Sequence, residues 1–428
     1  MDNQHTKRLR SERWFNNPDD PGMTALYVER YLNFGLSRQE LQSGRPIIGI
    51  AQTGSDLVPC NRHHIELATR IRDGIRDAGG IALEFPVHPL QETGKRPTAA
   101  LDRNLAYLGL VEILHGYPLD AVVLTTGCDK TTPACLMAAA TVNIPAIVFS
   151  GGPMLDGWWQ HRLAGSGTII WEARKQLATG EISTETFMDK IAASAPSVGH
   201  CNAMGTALSM NALAETLGMS LPGCAAIPAP YRARGAMAYE TGKRIVTMVH
   251  EDLTPSKIMT QKAFENAVIV AAALGASSNC PIHMIAIARH MGVEHSLDDW
   301  QRLGAHVPLL VDCQPAGQFL GEAFYRAGGV PALMRELQTA GLLHGNALTV
   351  TGRTLAQNLE TAPDTDHAVI RPYSRPLRPD AGFLVLKSNF FEYAIMKTSV
   401  IDREFEQLFL SDPDHPGRIR LQAVVFEG

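Results

Sequence analysis

The amino-acid sequence predicts an α/β fold: a parallel-sheet N-terminal domain with strand–helix alternation, a large helical portion and the start of a β-rich C-terminal domain. Two observations carry this prediction. Between residues 45 and 155, short apolar runs alternate with stretches whose apolar residues recur at helical spacing. The connections between them are short, which is typical of a parallel sheet covered by helices on both faces.

Four strands and three helices are predicted in this first region. The strands are the apolar runs at 47–51, 81–85, 122–125 and 146–149. The helices cover 62–78, 98–115 and 134–142, and the first two carry apolar residues at helical spacing. Glycine pairs or single glycines follow the first two helices as stop signals, and Pro133 is expected at the first helical position of the third.

The rest of the chain is predicted to be mainly helical, with a change of character near its end. Helical spacing covers 160–178, 184–194, 203–217, 231–250, 260–274, 282–292 and 316–340. A polar segment with several prolines then predicts a linker, and strands are expected at 382–386 and 420–426. The predicted division is an N-terminal domain, a linker and an incomplete C-terminal domain, at 1–361, 362–381 and 382–428.

Composition excludes several classes of protein. The 38 Lys and Arg residues against 43 Asp and Glu give a formal charge of −5, which offers no electrostatic footprint for nucleic acid or for an anionic membrane surface. An apolar share of 45% excludes a largely disordered chain, and no apolar run is long enough to span a bilayer. The seven cysteines are widely spread and include no C-x-x-C pair, which predicts a reducing, cytoplasmic location.

Several residues that can bind metals follow predicted strands. Asp56 and Cys60 follow the first strand, Glu92 the second, and the run Cys128-Asp129-Lys130 the third. Ligands of parallel sheets bind beyond the carboxyl ends of the strands. We therefore expect these side chains on one rim of the sheet.

The segment TTGCDKTTP, residues 125–133, places a thiol, a carboxylate and an amine side by side. A thiolate suits zinc or an iron–sulfur cluster, and a carboxylate suits Mg²⁺. Lys130 becomes a ligand only if its amine reacts with CO₂ to form an anionic carbamate. The alternative is an ordinary strand–helix loop in which Asp129 caps the helix and Lys130 points to water.

Other candidates are less specific. Cys60 and Cys201 precede predicted helices in polar surroundings, but composition does not favour them over the remaining cysteines, and Cys135 is expected in the core. We expect His63 and His64 to have capping and surface roles. The chain has no G-x-G-x-x-G after a strand and no G-x-S-x-G, so neither a dinucleotide site nor a serine hydrolase is supported.

Taken with TGSDLVPCN, SGGPMLDG and GHCNAMGTA, the segment TTGCDKTTP resembles the IlvD/Edd family of iron–sulfur dehydratases from about Ser11 to the last residue. LPGCAAIPAPYRARG and LKSNFFEYAIMKTSV look most like the pentonate (L-arabinonate and D-xylonate) branch. The resemblance implies a [2Fe–2S] cluster, with [4Fe–4S] as the alternative, and a Mg²⁺ ion. It assigns the cluster to Cys60, Cys128 and Cys201, and the Mg²⁺ to Glu92, Asp129 and a carbamylated Lys130.

The resemblance also implies an activity: dehydration of a 2,3-dihydroxy sugar acid to a 2-keto-3-deoxy acid by a homodimer or homotetramer. Family members continue past Gly428 into a domain with a further Glu ligand and a catalytic Ser base. We therefore expect no catalytic base in these 428 residues, and little or no turnover by a truncated chain unless a separate C-terminal half complements it. The alternatives are a non-catalytic cluster-binding subunit or remnant, and a dihydroxy-acid dehydratase of branched-chain amino-acid synthesis.

Overall fold

The computed structural model describes residues 8–95, 98–401, 404 and 407. Four strands form its centre: β1 (Ile47–Gln52), β2 (Ile81–Pro86), β3 (Ala121–Thr126) and β4 (Ala146–Ser150). They run parallel in the order β2-β1-β3-β4. β1, β3 and β4 are buried along their whole length, which explains their continuous apolar sequences. The predicted parallel sheet is confirmed.

Helices are the most frequent element in the rest of the described structure. In chain order they are α1 (Glu12–Phe15), α2 (Pro21–Leu32), α3 (Arg38–Leu41), α4 (His64–Asp77), α5 (Ala100–Gly116), α6 (Thr131–Val142), α7 (Thr168–Ala178), α8 (Thr184–Ala192), α9 (Thr206–Thr216), α10 (Arg232–His250), α11 (Pro255–Ile258), α12 (Gln261–Leu274), α13 (Cys280–Met291), α14 (Leu297–Asp299), α15 (Gly321–Arg326), α16 (Gly329–Thr339) and α17 (Leu355–Leu359). Two antiparallel ribbons complete the fold: β5 (Trp158–Trp159) with β6 (Arg162–Leu163), and β7 (Phe383–Leu386) with β8 (Ala394–Lys397). No described helix is both long enough and apolar enough to cross a bilayer.

The helices that connect the parallel strands cover both faces of the sheet. The β1–β2 crossover runs in the opposite direction across the sheet from the β2–β3 and β3–β4 crossovers. Because such crossovers are right-handed, α4 lies on one face, and α5 and α6 lie on the other. α10 packs along α4 and against β3 and β4, so the helical half of the chain is fixed to the sheet.

Three predicted helices differ from the observed ones. The helix predicted at 160–178 begins only at Thr168, after the β5–β6 ribbon. The helix predicted at 316–340 is divided into α15 and α16, because Gly328 between them has a φ of 103°, which lies outside the right-handed helical region. Pro133 is the third residue of α6, not the first, and it fits there because the first N–H groups of a helix have no intrahelical acceptor.

The proline-rich segment before the second ribbon pairs with the body of the protein. Within this segment, Val369 O accepts a hydrogen bond from Asp312 N over 2.8 Å, and Arg371 N donates one to Leu310 O over 2.8 Å. The strand predicted at 382–386 is confirmed as β7, whereas its partner β8 was not predicted. The strand predicted at 420–426 lies outside the described residues. The domain boundaries remain predictions.

Glycines allow α4 and α10 to approach closely. A Cβ atom at Gly242 would collide with the carbonyl oxygen of Ile71, and one at Gly74 would collide with that of Tyr239. By contrast, a Cβ atom at Gly235, also on α10, would have nothing within 4 Å. The contact therefore closes around two particular positions.

We expect Gly242→Ala to destabilise the fold by about 1–3 kcal/mol, because a methyl group forced into this contact must displace backbone. The matched variant Gly235→Ala should be neutral or stabilising by up to about 1 kcal/mol, since alanine has the higher helix propensity. Thermal unfolding followed by circular dichroism measures both changes. Equal midpoints for the two variants would contradict the close helix–helix contact.

Candidate active site

Two cysteines lie on adjacent loops at the carboxyl edge of the sheet. Cys60 occupies the single 3₁₀ turn after β1, and Cys128 follows β3. These strands are neighbours, so their loops meet. Gln91, from the loop after β2, lies between the two sulfurs: its Nε2 donates to Cys60 Sγ over 3.8 Å, and the Cys128 thiol donates to its Oε1 over 3.6 Å.

Cys201 reaches the same edge from the helical part of the chain. It precedes α9, and its neighbour His200 pairs with the loop after β4. Met154 N donates to His200 O over 2.9 Å, and His200 N donates to Gly152 O over 3.0 Å. The Ser166 hydroxyl donates to Cys201 Sγ over 3.2 Å. The loops after β1, β3 and β4 thus position the three predicted cysteines.

The three thiols influence one another electrostatically. Contact with the Cys128 side chain lowers the pKa of the Cys60 thiol. The same contact and burial raise the pKa of Cys128 well above its ordinary value. Burial is the main cause of the raised pKa of Cys201, and the nearby carboxylate of Asp129 adds to it. Loss of all three protons would place thiolates close together in a buried site, which a bound cation would stabilise.

Beside the thiols, Lys130 lies among carboxylates. Its Nζ is 3.2 Å from Glu92 Oε2, and its side chain is only 3% exposed. Glu92 also accepts from the Thr98 hydroxyl over 2.8 Å. Burial raises the pKa of Asp129, with a smaller contribution from Glu92, while Lys130 and a hydrogen bond from Thr206 oppose the shift. The alternative of a solvent-facing Lys130 is therefore wrong, and no side chain caps α6.

The structure thus brings Cys60, Cys128, Cys201, Glu92, Asp129 and Lys130 to one edge of the sheet. Asp56 does not join them, because its side chain is 90% exposed and pairs with Arg62 over 2.6 Å. Cys135 is fully buried in α6, as predicted. Bringing the six side chains together does not test their roles, which remain predictions.

The prediction for His63 and His64 is wrong. Both imidazoles are buried, and neither caps α4. They fill the space above Gly151, where any Cβ atom would collide with His64, and His63 Nε2 lies 2.9 Å from Gly151 O. Burial lowers the pKa of both rings, so they are neutral. The two rings fill the space between Gly151 and the start of α4.

Several polar residues around the site were not predicted. Asn61 Oδ1 accepts from Cys128 N over 2.9 Å, and its Nδ2 donates to the Thr53 hydroxyl over 3.1 Å. Asn61 and Gln91 are each next in sequence to a predicted residue, which is the one signal that could have identified them. Lys397, on β8, approaches Cys280, whose thiol also senses Asp129. Only the folded chain could place this lysine near the site.

The donor set divides by chemistry into two groups. Thiols form one group, of the kind that suits a soft metal centre, and carboxylates with an amine form the other, in which the carboxylates suit a hard cation. Within the described residues, no three His, Cys, Asp or Glu side chains are arranged to hold a single ion. The ligands of a cluster are divided among its iron atoms and therefore do not all have to surround one point.

Comparison with known proteins supplies the family. Residues 45–358 match the family described as dihydroxy-acid/6-phosphogluconate dehydratase, N-terminal. The chain belongs to this dehydratase family. It is 61% identical over 428 residues to a D-xylonate dehydratase of Caulobacter vibrioides, covering all of this chain and 72% of that protein. It is 46% identical over 422 residues to an L-arabonate dehydratase of Azospirillum brasilense, covering 98% of this chain and 70% of that protein.

A dihydroxy-acid dehydratase of Caldanaerobacter subterraneus is less similar to this chain than the two pentonate dehydratases are. It is 38% identical over 392 residues, which cover 90% of this chain and 69% of that protein. All three relatives are named dehydratases, and dehydratases are hydro-lyases, enzymes that eliminate water from a carbon skeleton. The predicted family and enzyme class are confirmed.

We expect Asn61→Ala to cost about 1–3 kcal/mol of stability, because the buried Cys128 N–H loses its acceptor. The loop should loosen, and Cys128, which is 4% exposed, should react faster with iodoacetamide. Peptide mass mapping under native conditions measures that rate. Asn346→Ala, at an exposed position, is the control. Identical Cys128 labelling in both variants would show that Asn61 does not hold the loop.

Proposed function

We propose that this family member is a sugar-acid dehydratase that converts a 2,3-dihydroxy sugar acid, a pentonate, into a 2-keto-3-deoxy acid. One observation carries the proposal: three thiols and the Glu92–Asp129–Lys130 group meet at the carboxyl edge of a parallel sheet. The names of the two more similar relatives favour a pentonate over a branched dihydroxy acid. We also propose a cytoplasmic location, which the seven free thiols favour, and assembly as a homodimer or homotetramer.

The residues fit the two inorganic groups of the proposal. Cys60, Cys128 and Cys201 would hold a [2Fe–2S] cluster, with [4Fe–4S] as the alternative. Glu92, Asp129 and a carbamylated Lys130 would hold Mg²⁺. When bound, these groups supply Lewis-acid chemistry that makes the C2 proton more acidic and the 3-hydroxyl a better leaving group.

The protein's own residues prepare the site for that chemistry. Ser166 and Gln91 donate to the sulfurs of Cys201 and Cys60, and such hydrogen bonds stabilise thiolates. The buried His63 and His64 rings restrict access of water from the side of Gly151. These groups fix the sulfurs before any ligand binds, which lowers the reorganisation that binding requires.

Charge at the site supports an anionic substrate. Lys397 has no carboxylate partner among residues 8–95 and 98–401, and burial lowers its pKa to about 8. At pH 7 the amine is therefore still mostly protonated. A cation in such surroundings is costly without a counter-ion, and the carboxylate of a sugar acid would provide one.

Anaerobic reconstitution of the 428-residue chain with iron and sulfide tests the cluster. We expect Cys60→Ser, Cys128→Ser and Cys201→Ser each to lose most of the bound iron, acid-labile sulfide and visible absorption. Cys135→Ala, in the core of α6, should keep them. Iron retention by all three serine variants would contradict the ligand assignment.

Turnover is then assayed with Mg²⁺ on D-xylonate, L-arabinonate and a branched 2,3-dihydroxy acid, with keto-acid formation as the readout. Keto acid from a pentonate supports the proposal and contradicts the expectation of little or no turnover. Preference for the branched acid would favour the dihydroxy-acid dehydratase alternative. A reconstituted cluster without any turnover would agree both with the expectation for a truncated chain and with the cluster-binding alternative.

A further inference from the structure

His283, on α13, carries a hydrogen-bonding atom that has nothing to bind. The side chain is buried, with 3% exposure, and it lies within electrostatic range of Lys130. Its Nδ1 lies 2.9 Å from Nη1 of Arg103 on α5. Its Nε2 is buried and lacks a hydrogen-bond partner among the described residues. Buried polar atoms are rarely left without a partner, so this atom points to a missing one.

Arg103 decides which ring nitrogen carries the proton. A guanidinium can only donate hydrogen bonds, so His283 Nδ1 must be the acceptor. A nitrogen that accepts a hydrogen bond carries no proton, so the ring is neutral. The single ring proton therefore lies on Nε2. His283 presents a buried N–H donor, and its missing partner must be an acceptor.

The ammonium of Lys130 cannot be that acceptor, because it has only protons to offer. A carbamate can accept. It forms after the ammonium has lost one proton to solvent: the neutral Lys130 Nζ then attacks the carbon of CO₂, a C–N bond forms, one C=O π pair moves onto oxygen, and the nitrogen loses a second proton to solvent. The charge of the side chain thereby changes from positive to negative. Its interaction with Arg103 changes from repulsion to attraction.

We propose that His283 is a positioning residue for this modification, and that its Nε2–H donates to an oxygen of the Lys130 carbamate. The inference rests on the proposed function, which includes the carbamate. Arg103 acts through His283: its hydrogen bond to Nδ1 holds the imidazole in the tautomer that can donate. The donor is thus in place before CO₂ reacts.

The test follows the carbamate itself by ¹³C NMR of the full chain, supplied with ¹³C-bicarbonate and Mg²⁺. Lys130→Met identifies the signal by removing it. We expect His283→Phe to need about tenfold more bicarbonate for half-occupancy, the size of one charge-assisted hydrogen bond. His283→Gln, which keeps an N–H donor, should recover part of the loss. His290→Phe, two turns further along α13, is the matched control and should behave as wild type.

Arg103→Met provides a second test that leaves the imidazole in place. It frees the ring to change tautomer, so occupancy should fall less than in His283→Phe. Wild-type occupancy in His283→Phe, or in Arg103→Met if the first variant does not fold, would overturn this inference alone. A wild-type chain with no carbamate signal would remove the carbamate from the proposed function, and this inference with it.

Discussion

The site depends on one buried carboxamide, that of Asn61. It follows Cys60 in the chain, yet its oxygen accepts from the backbone of Cys128 while its nitrogen donates to Thr53 at the end of β1. Two loops that leave neighbouring strands are thereby joined by side-chain hydrogen bonds. Because the side chain is fully buried, water cannot replace these bonds without opening the loops. The separation of two of the thiols follows from this link.

The other half of the site comes from the helical region. Cys201 reaches the thiols because the chain at His200 pairs with the loop after β4, and Thr206 at the start of α9 reaches Asp129. α10 packs along α4 and holds this region against the sheet. The sheet edge alone would present two cysteines and the Glu92–Asp129–Lys130 group. Docking of the helical region adds the third thiol.

Much of the fold and part of the site could be predicted from sequence. The strands are predictable because buried parallel strands are continuous apolar runs. The grouping of the site residues at one edge of the sheet is predictable because the carboxyl ends of parallel strands meet there. The position of Cys201 did not follow, since no periodicity predicts which helix start docks on a sheet. His63 and His64 were misassigned because polarity suggested exposure, whereas packing against Gly151 buries them. The position of Lys397 could not be predicted, because this residue lies on β8, whose sequence carries no strong strand signal.

The packing above Gly151 also bears on how this protein can diverge. Every other amino acid at that position would meet two imidazole rings, and at Gly152 it would meet Ile227 O and the Arg234 guanidinium. Relief at Gly151 would require replacement of the imidazoles, and at Gly152 no side-chain replacement would remove the Ile227 carbonyl oxygen. We therefore expect substitutions that alter substrate preference to be tolerated elsewhere around the site more readily than at these two glycines of the loop after β4.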